Sequence, residues 1–347
     1  MTFVGQSRQV HLVGSIPATS TRDALRLVLD SVGDRVGDRL PDGETGDRGN
    51  WIGRLIEGLR EHPDLEVVRD GDWSDYESTP VFRVKSGHRF TSVELDYYDA
   101  FTDSWPHFLE ARTRLGRNDL ALQVGIPGPI DIAFAAFGFN PLRGFQNTAP
   151  FEDATVAEIE RIHSEVGAVV VYQVEIPIEL EVVTRIPKML RSPGVRWLAR
   201  RILRVVEQSP DSTRWGFHLC VGDMNNRAFS RLEDAAPAVE LANALADQFP
   251  GGRHLEFIHM PFAHGSQPPS VEASFYAPLS RLRLPDGVRF VAGFVHEAQP
   301  LEAQHRVRYL IEDQIGHAVD VAAACGLGRR DRETAIRNLE QSRQLAE

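Results

Sequence analysis

The run Ala168-Val169-Val170-Val171-Tyr172-Gln173-Val174, closed by Glu175-Ile176-Pro177, decides the fold. It is β-branched and largely apolar, short for a helix, and stopped by an acid and a proline. Runs of this form, separated by helical patterns, read as buried parallel strands. Seven more candidates lie on either side of it. Residues 10–13 end in Gly14-Ser15, and a weaker run at 35–40 ends in Pro41-Asp42-Gly43-Glu44. Residues 120–126 end in Pro127-Gly128-Pro129, 215–219 carry His218 and end in Cys220, and 254–258 contain Glu256 and end near His259. Residues 288–295 end in His296-Glu297, and 318–324 end in Cys325-Gly326.

Helical patterns fill most gaps. Residues 21–32 align Leu25, Val28 and Leu29, and 301–315 align Val307, Leu310 and Ile311. Further helices are predicted over 155–166, over the basic stretch 193–207 and over the Ala/Leu-rich stretch 232–248. Residues 52–116 differ. They read as an insertion after the second strand: a helix over 51–61, polar irregular sequence, a strand pair near 80–95 and a helix near 98–115. Eight strands with helical crossovers predict an α/β chain folded as one (β/α)8 TIM barrel over residues 1–347. A doubly wound sheet would place a Gly-rich phosphate turn after the first strand, and Gly14-Ser15-Ile16-Pro17 lacks one.

Composition narrows the function. The 347 residues are 42% hydrophobic and 25% charged, the balance of a soluble globular protein. A net charge of −11 argues against nucleic-acid and anionic-membrane partners, leaving small molecules. No apolar run is long enough to span a bilayer, and the N-terminal stretch does not read as a signal peptide. Two cysteines exclude a disulfide framework and fit a reducing, cytoplasmic setting.

The chemistry gathers at strand ends. Ser15, Glu44, Glu175, His218, Cys220, Glu256, His296 and Cys325 all fall at or near the C-terminal ends of predicted strands, the active-site face of a barrel. In His218-Leu219-Cys220 the outer two side chains share one face of a strand. Imidazole and thiolate are both zinc donors. Cys325 ends another strand, and Glu256 supplies a fourth donor. Two sulfurs, a nitrogen and an oxygen suit tetrahedral zinc better than magnesium or calcium. The plain alternative for either cysteine is a small buried apolar residue.

These residues carry a family resemblance. Gly14-Ser15-Ile16-Pro17, Gly43-Glu44-Thr45-Gly46-Asp47-Arg48, Gly128-Pro129, Gln173-Val174-Glu175-Ile176-Pro177, His218-Leu219-Cys220, Leu255-Glu256-Phe257 and Cys325-Gly326-Leu327-Gly328-Arg329-Arg330 occur in one order along the chain. Together they resemble the catalytic barrel of the cobalamin-independent methionine synthase family, in the superfamily shared with uroporphyrinogen decarboxylase. The resemblance implies a zinc ion held by His218, Cys220, Glu256 and Cys325, with His259 the alternative to Glu256. It implies that Ser15, Glu44 and Glu175 hold the amino-acid end of a homocysteine-like thiol. It also implies that His296 gives a proton to the departing group.

The departures matter as much. Glu175 stands where that family has Asp, and Ile176 where it has Glu. The family's folate-stacking Trp has no counterpart in 130–137, nor has its long N-terminal half. The implied activity is therefore a zinc-dependent methyl or alkyl transfer to a small thiol, from a donor other than polyglutamyl folate. Two alternatives stand beside it. One is thiol addition to an epoxide or similar electrophile. The other is a metal-independent decarboxylase, whose basic pocket would draw on Arg48, Arg329 and Arg330. Trp51, Trp73, Tyr97 and Tyr98 of the insertion are candidates for a lid, while Phe134 and Phe137 read as core.

Overall fold

Seven strands lie side by side in one all-parallel sheet, each beside its predecessor in the sheet. The computed structural model describes residues 7–229 and 231–347. The chain enters through an extended segment and α1 (Thr21–Val32), whose N-cap Ser20 accepts a hydrogen bond from Asp23 N. The first strand of the sheet is β1 (Arg39–Pro41). Next come α2 (Trp51–Gly58), an antiparallel hairpin of β2 (Leu65–Arg69) and β3 (Val81–Val84), and α3 (Tyr97–Leu115). The sheet resumes with β4 (Ala121–Pro127), followed by α4 (Pro129–Ala136), α5 (Pro141–Gln146) and α6 (Ala149–Val166).

The second half alternates more regularly. It runs β5 (Val170–Glu175), α7 (Pro177–Arg185), α8 (Lys188–Gln208), β6 (Arg214–His218), α9 (Ala236–Asp247), β7 (His254–Pro261), α10 (Ala273–Tyr276), β8 (Arg289–Val295), α11 (Leu301–Ile315), β9 (Asp320–Ala323) and α12 (Arg332–Ala346). Proline in the first turn starts α4, α6, α7 and α9, where its missing N–H costs no helical bond. Gly116 and Gly316, both left-handed, stop α3 and α11. Tyr172, Trp215, Phe217 and Phe294 on the strands are completely buried. Truncating one of these rings, as in Trp215→Ala, costs about 3–5 kcal/mol. Among the described residues no helix is long and apolar enough to cross a membrane.

The segment at 10–13 departs from the expected strand. Val10 makes single parallel bridges to Val36 on one side and Val321 on the other. Beyond it, the carbonyls of Leu12 and Val13 turn inward. Gln123 Nε2 donates to both at 2.9 Å, and Gln173 Nε2 donates to Val13 O at 2.6 Å. Side-chain amides thus replace the backbone ladder that a strand would need. The insertion also differs in detail. The partner of Val81–Val84 is Leu65–Arg69, so the pair does not fall within 80–95. Basic helix α8 starts before Pro193 and carries it inside, and α6 starts at Ala149, ahead of the predicted 155.

At the N-terminal end of the sheet, charges are paired. Arg39 meets Asp38 at 2.6 Å, Arg214 meets Glu256 at 2.8 Å, and Arg289 meets Asp320 at 2.5 Å. Arg39 also lies 4.4 Å over the Phe257 ring.

Candidate metal centre and cavity

Strand register decides which predicted ligands meet. β6 ends with His218, and Cys220 follows it by two residues; Cys325 follows β9 by two. One donor atom from each of His218, Cys220 and Cys325 lies within 4.8 Å of the others. Both thiols are free, with their sulfurs 3.7 Å apart. Two Zn–S bonds of about 2.3 Å at a tetrahedral angle place sulfurs about 3.8 Å apart, so the spacing fits zinc.

Glu256 does not join them, which corrects the expected ligand set. The β6–β7 register pairs His218 with His259 and passes from Trp215–Leu255 to Gly216–Phe257, leaving Glu256 in a bulge. Glu256 is three residues short of the metal end, roughly 10 Å along a strand. Its two oxygens take Arg214 Nε at 2.8 Å and Nη2 at 3.2 Å.

His259 holds the place beside His218, and the hydrogen bonds order the protons. Ala323 O can only accept, so His259 Nε2, 3.0 Å away, carries a proton. With that ring neutral, its Nδ1 accepts at 2.8 Å from His218 Nδ1. His218 Nε2 is left bare, buried and without a partner. That is the tautomer a metal needs, fixed by an outer-shell partner. Burial holds both rings neutral, His259 at a pKa of about 4 and His218 well below its ordinary value. Gly293 leaves room for this: a Cβ there would lie 2.5 Å from His259 Nε2.

The cluster opens on a cavity of about 150 Å³ that Ser15, Glu44, Glu175, Cys220 and Cys325 help to line. Glu44 takes a left-handed backbone, φ 43°, that suits few side chains. Asp42 accepts Glu44 N at 2.9 Å and is itself held by Arg48 at 2.5 Å. The Glu44 carboxylate enters between two glycines. A Cβ on Gly14 or Gly125 would lie 2.5 or 2.6 Å from Glu44 Oε1, and one on Gly125 would also come within 3.7 Å of Glu175 Oε1. Glu44 Oε1 is buried with no partner. Burial, then Glu175, then Asp42 push the Glu44 pKa up. Burial raises Glu175 to about 7, against the pull of Arg329. Ser15 Oγ accepts from Gly328 N at 3.3 Å, tying the first segment to the Cys325 loop.

His296 is not among the residues lining the cavity. Its Nδ1 accepts from Ala298 N and its Nε2 donates to Gly265 O, both at 3.1 Å, so both nitrogens are committed to backbone. The proton-donor role expected for it has no geometric support here. Of the insertion's aromatics, Trp51 and Trp73 line the cavity. Tyr97 is buried edge-on behind Trp51, and Tyr98 lies outside under Arg161. Phe134 and Phe137 are core, as expected.

Asp131, Asp223, Tyr76, Phe139 and Phe229 also line the cavity, and sequence reasoning gave none of them a functional role beyond packing. Asp223 lies three residues past Cys220, which was the available signal.

No family model and no curated protein matches this sequence. Solved structures do resemble the fold. A B12-independent methionine synthase from Shewanella sp. W3-18-1, in complex with selenomethionine, is 13% identical with a TM-score of 0.61, covering 98% of this chain and 97% of that one. A methyltransferase from Methanosarcina mazei is 12% identical with a TM-score of 0.50, covering 98% and 94%. A putative vitamin-B12 independent methionine synthase from Listeria monocytogenes is 13% identical with a TM-score of 0.50, covering 99% and 98%. The chain therefore has the fold of cobalamin-independent methionine synthases over nearly its whole length.

Proposed function

We propose that the protein is a zinc-dependent transferase that alkylates a small thiol carrying an ammonium group, homocysteine being the simplest example. The observation that carries this reading is the convergence of His218 Nε2 and two thiols, at tetrahedral spacing, on a cavity with unpaired carboxylates. In this reading the 10–13 segment closes an eight-stranded barrel, and His218, Cys220 and Cys325 would hold the zinc. Three protein ligands would let it take up the substrate thiol, as catalytic zinc sites do. Zinc, when bound, lowers the pKa of a coordinated thiol so that it reacts as a thiolate at neutral pH.

The remaining work belongs to side chains. Glu44 and Glu175 bind the substrate ammonium, and its charge draws both carboxyls into the ionised form. Ser15, whose hydroxyl accepts from Gly328 N and keeps its own proton to donate, faces the substrate carboxylate. The proton released from the thiol passes to water or to a cavity carboxylate. Trp51 and Trp73 exclude solvent from the reacting sulfur.

The decarboxylase alternative needs a basic pocket. Arg329 is the only basic residue among the described lining, Arg48 is tied to Asp42, and Arg330 is tied to Glu297. Metal analysis with mass spectrometry of the alkylated thiol tests the proposal. About one zinc per chain and thiol alkylation that is lost in Cys220→Ser are expected. Zinc-free protein with full activity would refute it.

A further inference from the structure

The thiol and its ammonium account for one side of the cavity, and the other side is built differently. Tyr76 from the insertion, Phe139 beyond α4, and Met224 and Phe229 beyond β6 form an apolar wall. Phe139 stacks on Phe229 with centroids 5.4 Å apart, and Tyr76 lies 4.9 Å from Phe229. The wall is pinned. Tyr76 Oη accepts from Met224 N at 2.9 Å and donates to Arg227 O at 3.2 Å. Asn225 Nδ2 donates to Trp73 O and Ser74 O, both at 3.1 Å.

Asp223 faces this wall's cavity with its side chain only 7% exposed, and neither oxygen accepts a hydrogen bond. Its closest cation, Arg330 Nη1, is 3.9 Å away. That guanidinium is committed to Glu297 at 2.7 Å and Gly326 O at 3.4 Å. Four carboxylates, Glu44, Asp131, Glu175 and Asp223, line the space against Arg329 alone, and Arg329 bonds to Gly49 O. Asp131 accepts from Ile178 N at 2.7 Å and lies with Glu179 over Gly128, and Glu44 and Glu175 flank Gly125 together, which leaves Asp223 as the acid beside the aromatic wall.

An unpaired buried carboxylate is costly, disfavours anionic ligands and is stabilised by a cation. Aromatic faces next to it attract cations, including those with no N–H to donate. Resting on the thiol-alkylation reading, we infer that the alkyl donor is a methyl onium compound, a sulfonium or quaternary ammonium, held between Asp223 and the aromatic wall. The thiolate lone pair forms the new S–CH3 bond as the C–S⁺ or C–N⁺ bond breaks. The electron pair of the broken bond stays on the donor, which leaves as a neutral thioether or tertiary amine. One negative and one positive charge cancel in the step, and a dry cavity favours charge neutralisation.

The test uses zinc-loaded protein with homocysteine and one of three methyl sources: trimethylsulfonium, methyl iodide or 5-methyltetrahydrofolate. Methylated product is read by mass spectrometry. Trimethylsulfonium should react and the folate should not. In Asp223→Asn the ratio of the sulfonium rate to the methyl iodide rate should fall by at least tenfold, and quenching of Trp73 fluorescence by trimethylsulfonium should need correspondingly higher concentrations. Methyl iodide needs no cation site, so it gauges both thiol activation and an intact fold in the variant. An unchanged ratio, or a sulfonium that fails where methyl iodide succeeds, overturns the donor inference alone. Failure of methyl iodide with the unmodified protein overturns the thiol reading and the donor inference together.

Discussion

The two ends of the parallel sheet carry the same residue types in opposite electrostatic states. At the N-terminal end, acids and arginines are paired: Asp38 with Arg39, Glu256 with Arg214, Asp320 with Arg289. At the C-terminal end, Glu44 Oε1, both oxygens of Asp223 and His218 Nε2 are buried without hydrogen-bond partners. Burial lifts Glu175 to about 7 and Asp223 to about 6. A buried polar group costs free energy unless something completes it. Opposite charges meet within the chain at one end, where Asp38 Oδ1 and Arg39 Nε still lack hydrogen bonds, while the acids at the other end are completed by what binds there.

The sharpest way to break this contrast is to remove a thiol. Cys325→Ser or Cys220→Ser should reduce zinc from about one per chain to near zero and abolish thiol alkylation, read by atomic absorption and product mass. Gly125→Ala acts one step away. Its Cβ would meet Glu44 Oε1 at 2.6 Å and drive the carboxylate from its slot. The KM for an amino-acid thiol should rise about tenfold to a hundredfold, the worth of a lost charged hydrogen bond, with zinc retained. His259→Phe removes the acceptor that fixes the His218 tautomer. Zinc affinity, measured by chelator competition, should weaken about 10–100-fold.

Smaller effects sharpen the contrast. Glu175 keeps its proton to about pH 7 in the folded protein but loses it near 4.5 when unfolded. The metal-free protein is thus stabilised by this group below 4.5, and that stability is lost as pH rises towards 7. Melting temperatures of metal-free protein between pH 5 and 8 should fall with rising pH, less steeply in Glu175→Gln. The smallest effect belongs to the paired end. Glu256→Gln should cost about 1–2 kcal/mol of stability in urea titrations and leave zinc content unchanged. Loss of zinc there would erase the distinction between the two ends.

Legibility in the sequence followed how local the determinants are. Apolar, often β-branched runs between helical patterns located six of the seven sheet strands, because burial on two faces demands that composition, while β1 overlaps only the end of the weaker run at 35–40. The 10–13 segment was legible in place but not in extent: Val10 and His11 pair with both neighbours, and beyond them Gln123 and Gln173 take the carbonyls, a long-range arrangement that no local pattern carries. His218, Cys220 and Cys325 were readable as strand-end donors. Glu256 was misplaced because a single bulge shifts which residue faces His218, and a bulge is invisible without the partner strand. His296 follows β8 as expected, yet backbone groups of Gly265 and Ala298 occupy it, and residue type alone does not reveal such capture.

X-ray absorption at the zinc edge, with and without homocysteine, tests the central claim most directly. Before thiol is added, the account predicts two sulfurs at about 2.3 Å and one imidazole nitrogen at about 2.0 Å from the protein. Adding thiol should raise the count to three sulfurs. A sulfur count unmoved by the thiol, or a shell without the two cysteine sulfurs, would contradict it.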